Sequence, residues 1–213
     1  MAIAFDHEEQ EQLAELKAWW ARWGNWVAAL VLAVALASAG WYGWRFYQAR
    51  QAAEASQAYD ELQRAVAEHD VRKAGDAAGE LLEHYRRTEY ATLGALLAAR
   101  VYHDAGDLKN ARAKLEWVIE AGSTPESRGI AGLRLANILI DEKDFDGAAR
   151  ALGRSMPESL AALADERLGD MRLLQNRPDE ARKAWRDALG KVKSPGAGLA
   201  ERLQGKLDSL GAD

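Results

Sequence analysis

Hydrophobic residues are distributed in two different ways along this chain. From Trp23 to Trp44 the sequence WGNWVAALVLAVALASAGWYGW contains no charged residue, and arginines lie immediately outside it. After this segment, apolar residues recur among charged ones at the spacing of one helix face, and a turn signal follows each stretch. The pattern predicts one long apolar helix followed by a series of amphipathic helices.

The uncharged segment has the length and the borders of a membrane-spanning helix. At 1.5 Å per residue it extends over about 33 Å, close to the thickness of a bilayer core. Aromatic side chains, which favour the headgroup region, are concentrated at both of its ends. We predict a transmembrane helix in contact with membrane lipid, anchored by Trp23, Trp26, Trp41, Tyr42 and Trp44.

Two questions about this segment stay open at the level of the sequence. The tripeptide Ala-Ser-Ala at 37–39 resembles a signal-peptidase site, so cleavage of a signal peptide is an alternative, although the apolar run continues beyond it. The basic residues are also balanced across the span, with Lys17 and Arg22 before it and Arg45 and Arg50 after it. The positive-inside rule therefore predicts no orientation.

The residues before the span predict a short amphipathic helix. Apolar side chains recur at helical spacing on one side, at Leu13, Leu16, Trp20 and Trp23, while Glu11 and Glu15 lie on another. Such a helix lies at the membrane interface or, as the alternative, docks against a membrane partner.

From residue 54 onward the chain repeats. The aspartates that precede a second helix are 37 residues apart, at Asp70, Asp107 and Asp144. The alanines four residues later keep that spacing, and a fourth follows 33 residues on, at Ala74, Ala111, Ala148 and Ala181. Small residues recur on the preceding helices, at Ala99, Ala136 and Gly169. A helix pair of this kind cannot bury its apolar face alone and must stack on its neighbours.

This register resembles the tetratricopeptide repeat. The resemblance has departures, because Lys143 and Asn176 stand where Gly106 supplies a turn glycine. After SPGAG at 194–198, the sequence LAERLQGKLDSL predicts a helix that caps the last repeat. The expected fold is all-α: a single transmembrane helix, then about three or four helix hairpins and a capping helix. The predicted segments are a head (1–22), the span (23–44), a continuation (45–53), the repeats (54–193), and a linker with the capping helix (194–213).

The first helix of each hairpin is expected to line a curved groove. The repeat register assigns nine residues to it: Leu96, Arg100, His103, Leu133, Asn137, Ile140, Glu166, Asp170 and Leu173. Peptide-carboxylate clamps in this repeat class need at least two basic side chains near an asparagine, and only Arg100 and Asn137 are placed that way. The groove is therefore predicted to accept a protein surface or an apolar segment. The alternative is that these residues only face solvent.

Composition excludes several functions. The net charge of −5 argues against a nucleic-acid partner, and the absence of cysteine excludes thiol chemistry. The four histidines are scattered, at His7, His69, His84 and His103, without the spacing of metal ligands. Phosphate-binding and nucleophile motifs are absent as well. We expect no enzyme activity, no cofactor, no metal and no small-molecule substrate.

The order of these segments is similar to the YfgM-like family, ancillary subunits of the bacterial Sec translocon. The resemblance rests on EEQEQLAELKAWW, GWYGWRFY, GLRLANILIDEKDFDGAARAL and ADERLGDMRLLQNRPDEARKAW, in that order along the chain. It implies a bacterial inner-membrane protein with a cytoplasmic amino terminus and periplasmic repeats. The implied partners are the SecYEG channel and a PpiD-like periplasmic chaperone, and the implied role is to help pass exported proteins to periplasmic chaperones. A scaffold for another envelope complex, in secretion, pilus or division machinery, is the alternative.

Overall fold

The computed structural model describes residues 7–154, 156–192 and 198–211, with side chains described from Leu13 onward. Within these ranges the regular structure is entirely helical. The chain divides into two compact units, Met1–Arg50 and Gln51–Asp213. Most of the SPGAG linker predicted at 194–198 and the first six residues of the predicted head lie outside the described residues.

The first unit consists of the larger part of helix α1, which runs from His7 to Ala67. The described portion, Leu13–Ala67, is long and apolar enough to cross a membrane, and none of its most apolar stretch is buried. All five predicted anchor residues are exposed, Trp26 and Tyr42 to 72%. A helix in the core of a soluble protein would instead be covered by other elements. The exposure agrees with a helix that spans a bilayer.

The second unit contains the end of α1 and eight further helices among the described residues. They are α2 (Val71–His84), α3 (Glu89–Asp104), α4 (Leu108–Ala121), α5 (Pro125–Asp141), α6 (Phe145–Gly153), α7 (Ala161–Leu174), α8 (Pro178–Lys191) and α9 (Leu199–Ser209). A short 3₁₀ turn, Glu158–Leu160, precedes α7. Consecutive helices pack as hairpins: the end of α1 with α2, α3 with α4, α5 with α6, and α7 with α8.

The four hairpins turn in the same way. A residue with positive φ ends each turn, namely His69 (58°), Gly106 (78°), Lys143 (62°) and Asn176 (60°). In three hairpins an aspartate follows and caps the second helix, accepting a backbone hydrogen bond at Asp70 Oδ1 (2.9 Å), Asp107 Oδ1 (3.1 Å) or Asp144 Oδ1 (2.9 Å). The fourth lacks this side-chain cap and begins its helix with Pro178, whose fixed φ suits the first helical position. The spacing in the sequence therefore marks the turns.

The helices of a hairpin approach closely because small residues line their contact. The four alanines of the register, Ala74, Ala111, Ala148 and Ala181, are fully buried. Ala99 and Ala136 are buried opposite them, and the indole of Trp185 fills the space where a side chain at Gly169 would lie. A larger residue at these positions would force the helices apart.

The capping helix closes the stack as predicted. Leu199 and Leu203 of α9 are buried against Ala181, Trp185 and Ala188 of α8. Without α9, this apolar face of the last hairpin would meet water. The predicted all-α class, with an apolar amino-terminal helix before a stack of helix hairpins, is confirmed.

Gly106 provides a test of the turn geometry, because a Cβ there would meet no neighbouring atom and only its φ of 78° opposes a side chain. We expect Gly106→Ala to lower the free energy of unfolding by about 1 kcal/mol. Lys143→Gly should raise it, because glycine removes the strain of the same conformation.

The measurement is chemical denaturation of the full chain in detergent, followed by circular dichroism. The matched control is Gly79→Ala in α2, which also has open space for a Cβ but ordinary helical backbone. This control should stabilise the protein by up to about 1 kcal/mol. A stabilising Gly106→Ala would contradict the assigned turn.

Candidate protein-binding groove

A surface pocket of about 350 Å³ lies between the first helices of the second and third hairpins, α3 and α5. Its floor is apolar and consists of Ala99, Leu115 and Ile138. Its rim is polar and carries two arginines, a histidine and an asparagine, at Arg100, Arg134, His103 and Asn137. The arrangement combines apolar contact area with several hydrogen-bond donors, as in binding pockets generally.

The rim side chains make only weak contacts within the protein. Arg100 Nε lies 3.6 Å from Asp104 Oδ2, and His103 Nδ1 lies 3.5 Å from Asp104 Oδ1. Arg134 Nη1 donates to the carbonyl oxygen of Leu96 at 3.4 Å. The Arg100 and Asp104 side chains are mostly exposed, so their pair contributes little to stability. Both guanidinium groups can reorient toward a ligand at small cost.

A second pocket, of about 380 Å³, lies on the other side of Arg100. Most of its lining is apolar and comes from the end of α1, the start of α2 and α3, including Val66, Val71, Leu97 and Val101. Asp70 and Asp104 also line it. Because Arg100 lines both pockets, it stands between them.

The structure brings together only part of the predicted groove. Arg100, His103 and Asn137 line the first pocket. Leu96, Leu133 and Ile140 are half-buried and pack against the central core, so they offer less surface to a ligand. Leu173 is 41% exposed at the end of α7.

Arg134 is the rim residue that the sequence register missed. The register follows one position per helical turn and selected Asn137 on α5. Arg134 lies three residues earlier, so the two side chains are neighbours on the same side of the helix. The three-residue spacing between Arg134 and Asn137 was the sequence signal that could have identified Arg134.

Glu166 and Asp170 have a different position from the one expected. Glu166 is only 1% exposed, because α9 lies over it, and Lys206 Nζ donates to its Oε1 at 2.9 Å. The same ammonium group donates to both oxygens of Asp170, at 2.6 and 2.8 Å. Trp185 Nε1 adds a hydrogen bond of 3.1 Å to Asp170. These two carboxylates hold the capping helix on α7, and Glu166 presents no surface to a groove ligand.

The charge of Glu166 is balanced inside this contact. Burial raises the pKa of Glu166, but the hydrogen bond and charge of Lys206, together with the nearby guanidinium group of Arg202, outweigh it, so the pKa lies below the usual glutamate value. Arg202 Nη2 lies 3.5 Å from Glu166 Oε2, the oxygen that has no hydrogen-bond partner among the described residues. The carboxyl group is therefore ionised at neutral pH, and the contact weakens when it is protonated.

The described part of the chain contains no group of histidine and carboxylate side chains close enough to hold a metal ion. A stack of helix hairpins with an open pocketed surface defines the class of α-helical repeat proteins that bind other proteins. A family described as a tetratricopeptide repeat-like domain matches residues 17–212, and the chain belongs to this family.

Two bacterial proteins, both named "Ancillary SecYEG translocon subunit", are similar to the chain. The protein of Neisseria gonorrhoeae (strain ATCC 700825 / FA 1090) is 32% identical over 131 residues, which are 62% of each chain. The protein of Escherichia coli (strain K12) is 27% identical over 133 residues, 62% of this chain and 64% of its own. The chain thus matches somewhat less than two thirds of either relative. The resemblance drawn from the sequence is confirmed, and neither name describes an enzyme, in agreement with the predicted non-catalytic role.

The contact between α7 and α9 predicts a pH-dependent stability. Because the pKa of Glu166 is lowered by folding, its contribution is full above the unfolded glutamate pKa of about 4.3 and is lost as the pH falls through the lower folded value. We expect Glu166→Gln to lower the free energy of opening of α9 by about 2 kcal/mol at neutral pH. The difference should shrink below pH about 4.

Amide hydrogen exchange of α9 in the full chain measures this free energy. Glu116→Gln, an exposed substitution on α4, is the control and should leave the exchange of α9 unchanged. An equal effect of Glu166→Gln at acidic and neutral pH would show that its charge does not hold the helix.

Proposed function

We propose that this protein is an inner-membrane-anchored interaction subunit of the Sec translocon, which helps pass exported proteins to periplasmic chaperones. The observation that carries the proposal is the joining of an exposed apolar helix to a tetratricopeptide repeat-like stack in a chain similar to two ancillary SecYEG translocon subunits. In this proposal the amino terminus is cytoplasmic and the repeats are periplasmic. The proposed partners are the SecYEG channel and a PpiD-like chaperone.

The anchor supports this role through effective concentration. A repeat domain tethered beside a channel meets each emerging chain without diffusing through the whole compartment, so weak contacts suffice for capture. The aromatic side chains at both ends of the apolar stretch are exposed, including Trp23 and Trp44 at 50% each. Such side chains favour the two headgroup regions of a bilayer. The exposed apolar stretch between them can contact a transmembrane partner.

The repeats support the role through their surface. The pockets beside Arg100 offer apolar contact together with hydrogen-bond donors, and they lie on helices held by buried alanines. We propose that the groove residues predicted from the sequence that remain accessible, above all Arg100, His103 and Asn137, contact a protein segment. A rigid, preformed surface reduces the entropy lost on binding.

The natural absence of cysteine allows a clean test of the orientation. We expect a cysteine introduced by Asp179→Cys, at a position that is 95% exposed, to react with a membrane-impermeant maleimide once the outer membrane is permeabilised. A cysteine introduced by Glu15→Cys should react only after the inner membrane is lysed. The reverse pattern would place the repeats in the cytoplasm and exclude the export role.

Association with the channel can be tested by exchanging the anchor. We expect the full chain, extracted in mild detergent, to co-purify SecYEG. A chain whose residues 1–50 are replaced by an unrelated single-span anchor of the same orientation should recover about tenfold less channel, because the repeats alone bind it weakly.

The exchanged chain is the matched control, since it keeps the repeat domain at the same membrane. Quantitative mass spectrometry of the purified material gives the partners. Undiminished recovery of SecYEG after the exchange would contradict the assigned role of the anchor. Recovery of secretion, pilus or division components instead would favour the scaffold alternative.

A further inference from the structure

The pocket between α3 and α5 has a charge opposite to that of the whole protein. The chain carries a net charge of −5, yet none of the described residues that line this pocket is a carboxylate. Its rim holds the guanidinium groups of Arg100 and Arg134 together with the amide of Asn137. Two arginines that face one cavity repel each other and attract an anion, and a carboxylate can accept paired hydrogen bonds from a guanidinium group.

The apolar floor strengthens this preference. Leu115 and Ile138 are buried beneath the rim, at 2% and 4% exposure. A carboxylate between the arginines lies over apolar surface, where its attraction to them is screened less than in bulk water. The pocket thus favours an acidic group that is attached to an apolar body.

The surrounding charges leave this attraction in place. Asp104 Oδ2 lies 3.6 Å from Arg100 Nε, and Asp104 Oδ1 lies 3.5 Å from His103 Nδ1. Its side chain is 62% exposed, and an exposed pair of this kind is weak. Arg134 donates to a backbone oxygen, which a ligand carboxylate can replace with a stronger, charge-assisted hydrogen bond.

The second pocket extends the apolar surface past Arg100. This pocket lies on the other side of Arg100 and is lined mainly by valine, leucine and alanine side chains. A chain that ended at Arg100 would leave this apolar surface in water. A segment that crosses Arg100 instead places an apolar side chain there, while Asp70 and Asp104 discourage a second acidic one.

We propose that the two pockets form one recognition site for an extended segment of a partner protein with an internal Asp or Glu next to apolar residues. The acidic side chain binds Arg100, Arg134 and Asn137, and an apolar neighbour fills the pocket between the α1–α2 turn and α3. This assignment deepens the proposed function, since it names the kind of segment that the repeats capture.

The test uses two libraries of decapeptides with blocked termini, incubated with the full chain in detergent. The fifth position is Glu in one library and Gln in the other, and the remaining positions are random among non-acidic residues. We expect the protein to retain about tenfold more of the Glu library, with apolar residues enriched beside the glutamate. Arg100→Gln combined with Arg134→Gln should abolish the difference between the libraries.

The matched control combines Arg87→Gln with Arg154→Gln, two exposed arginines outside both pockets, and should retain the preference. Equal retention of the two libraries by the unmodified protein would overturn the proposal, as would a preference that survives the double change at Arg100 and Arg134. A third library with a free carboxyl terminus covers the other source of a carboxylate, and retention of that library alone would also overturn it. None of these outcomes bears on SecYEG recovery, so failure here is distinct from failure of the translocon assignment.

Discussion

The structure of the repeat domain depends on how closely two helices can approach within each hairpin. Alanine at the contact positions lets the backbones come together, and larger buried side chains such as Leu81, Leu115 and Trp185 fill the space around this contact. The residue with positive φ at each turn reverses the chain within a few residues, which keeps the two helices side by side. The groove depends on this helix contact. The same contact recurs in each hairpin, and the stacked hairpins therefore hold α3 beside α5.

The last hairpin of such a stack has an end that no further hairpin covers. Here α9 covers that end through both apolar and polar contacts. Leu199 and Leu203 cover the apolar face, while Lys206 joins Glu166 and Asp170 across the contact. Burying a carboxylate is costly unless it is paired and hydrogen-bonded, and Lys206 supplies both the opposite charge and the hydrogen bond for Glu166. The same helix buries Glu166, which therefore contributes no surface to the proposed groove.

The sequence predicted the fold well and the site only in part. Asp70, Asp107 and Asp144 announced the helix starts because capping is a local interaction between residues three apart in the chain. The uncharged stretch between Trp23 and Trp44 could be predicted as a membrane span for a similar reason, since its length and lack of charge are local properties of the sequence. The groove was harder to predict, because the position of a residue on a helix face does not show which other helix packs against that face. Arg134 was missed although it lies three residues before Asn137, and Glu166 was assigned to an open surface that α9 covers.

The sequence by itself determined the helical class, the repeat register, the turns and the apolar anchor. Each of these follows from local hydrogen bonding, backbone preference or the periodicity of apolar residues. Only the tertiary structure decided which charged residues meet. The pairing of Lys206 with Glu166 joins residues 40 positions apart, and the shared pocket of Arg100 and Arg134 joins two hairpins. Such contacts depend on the packing of the whole stack, and no local pattern in the chain encodes the direction in which a long charged side chain finally turns.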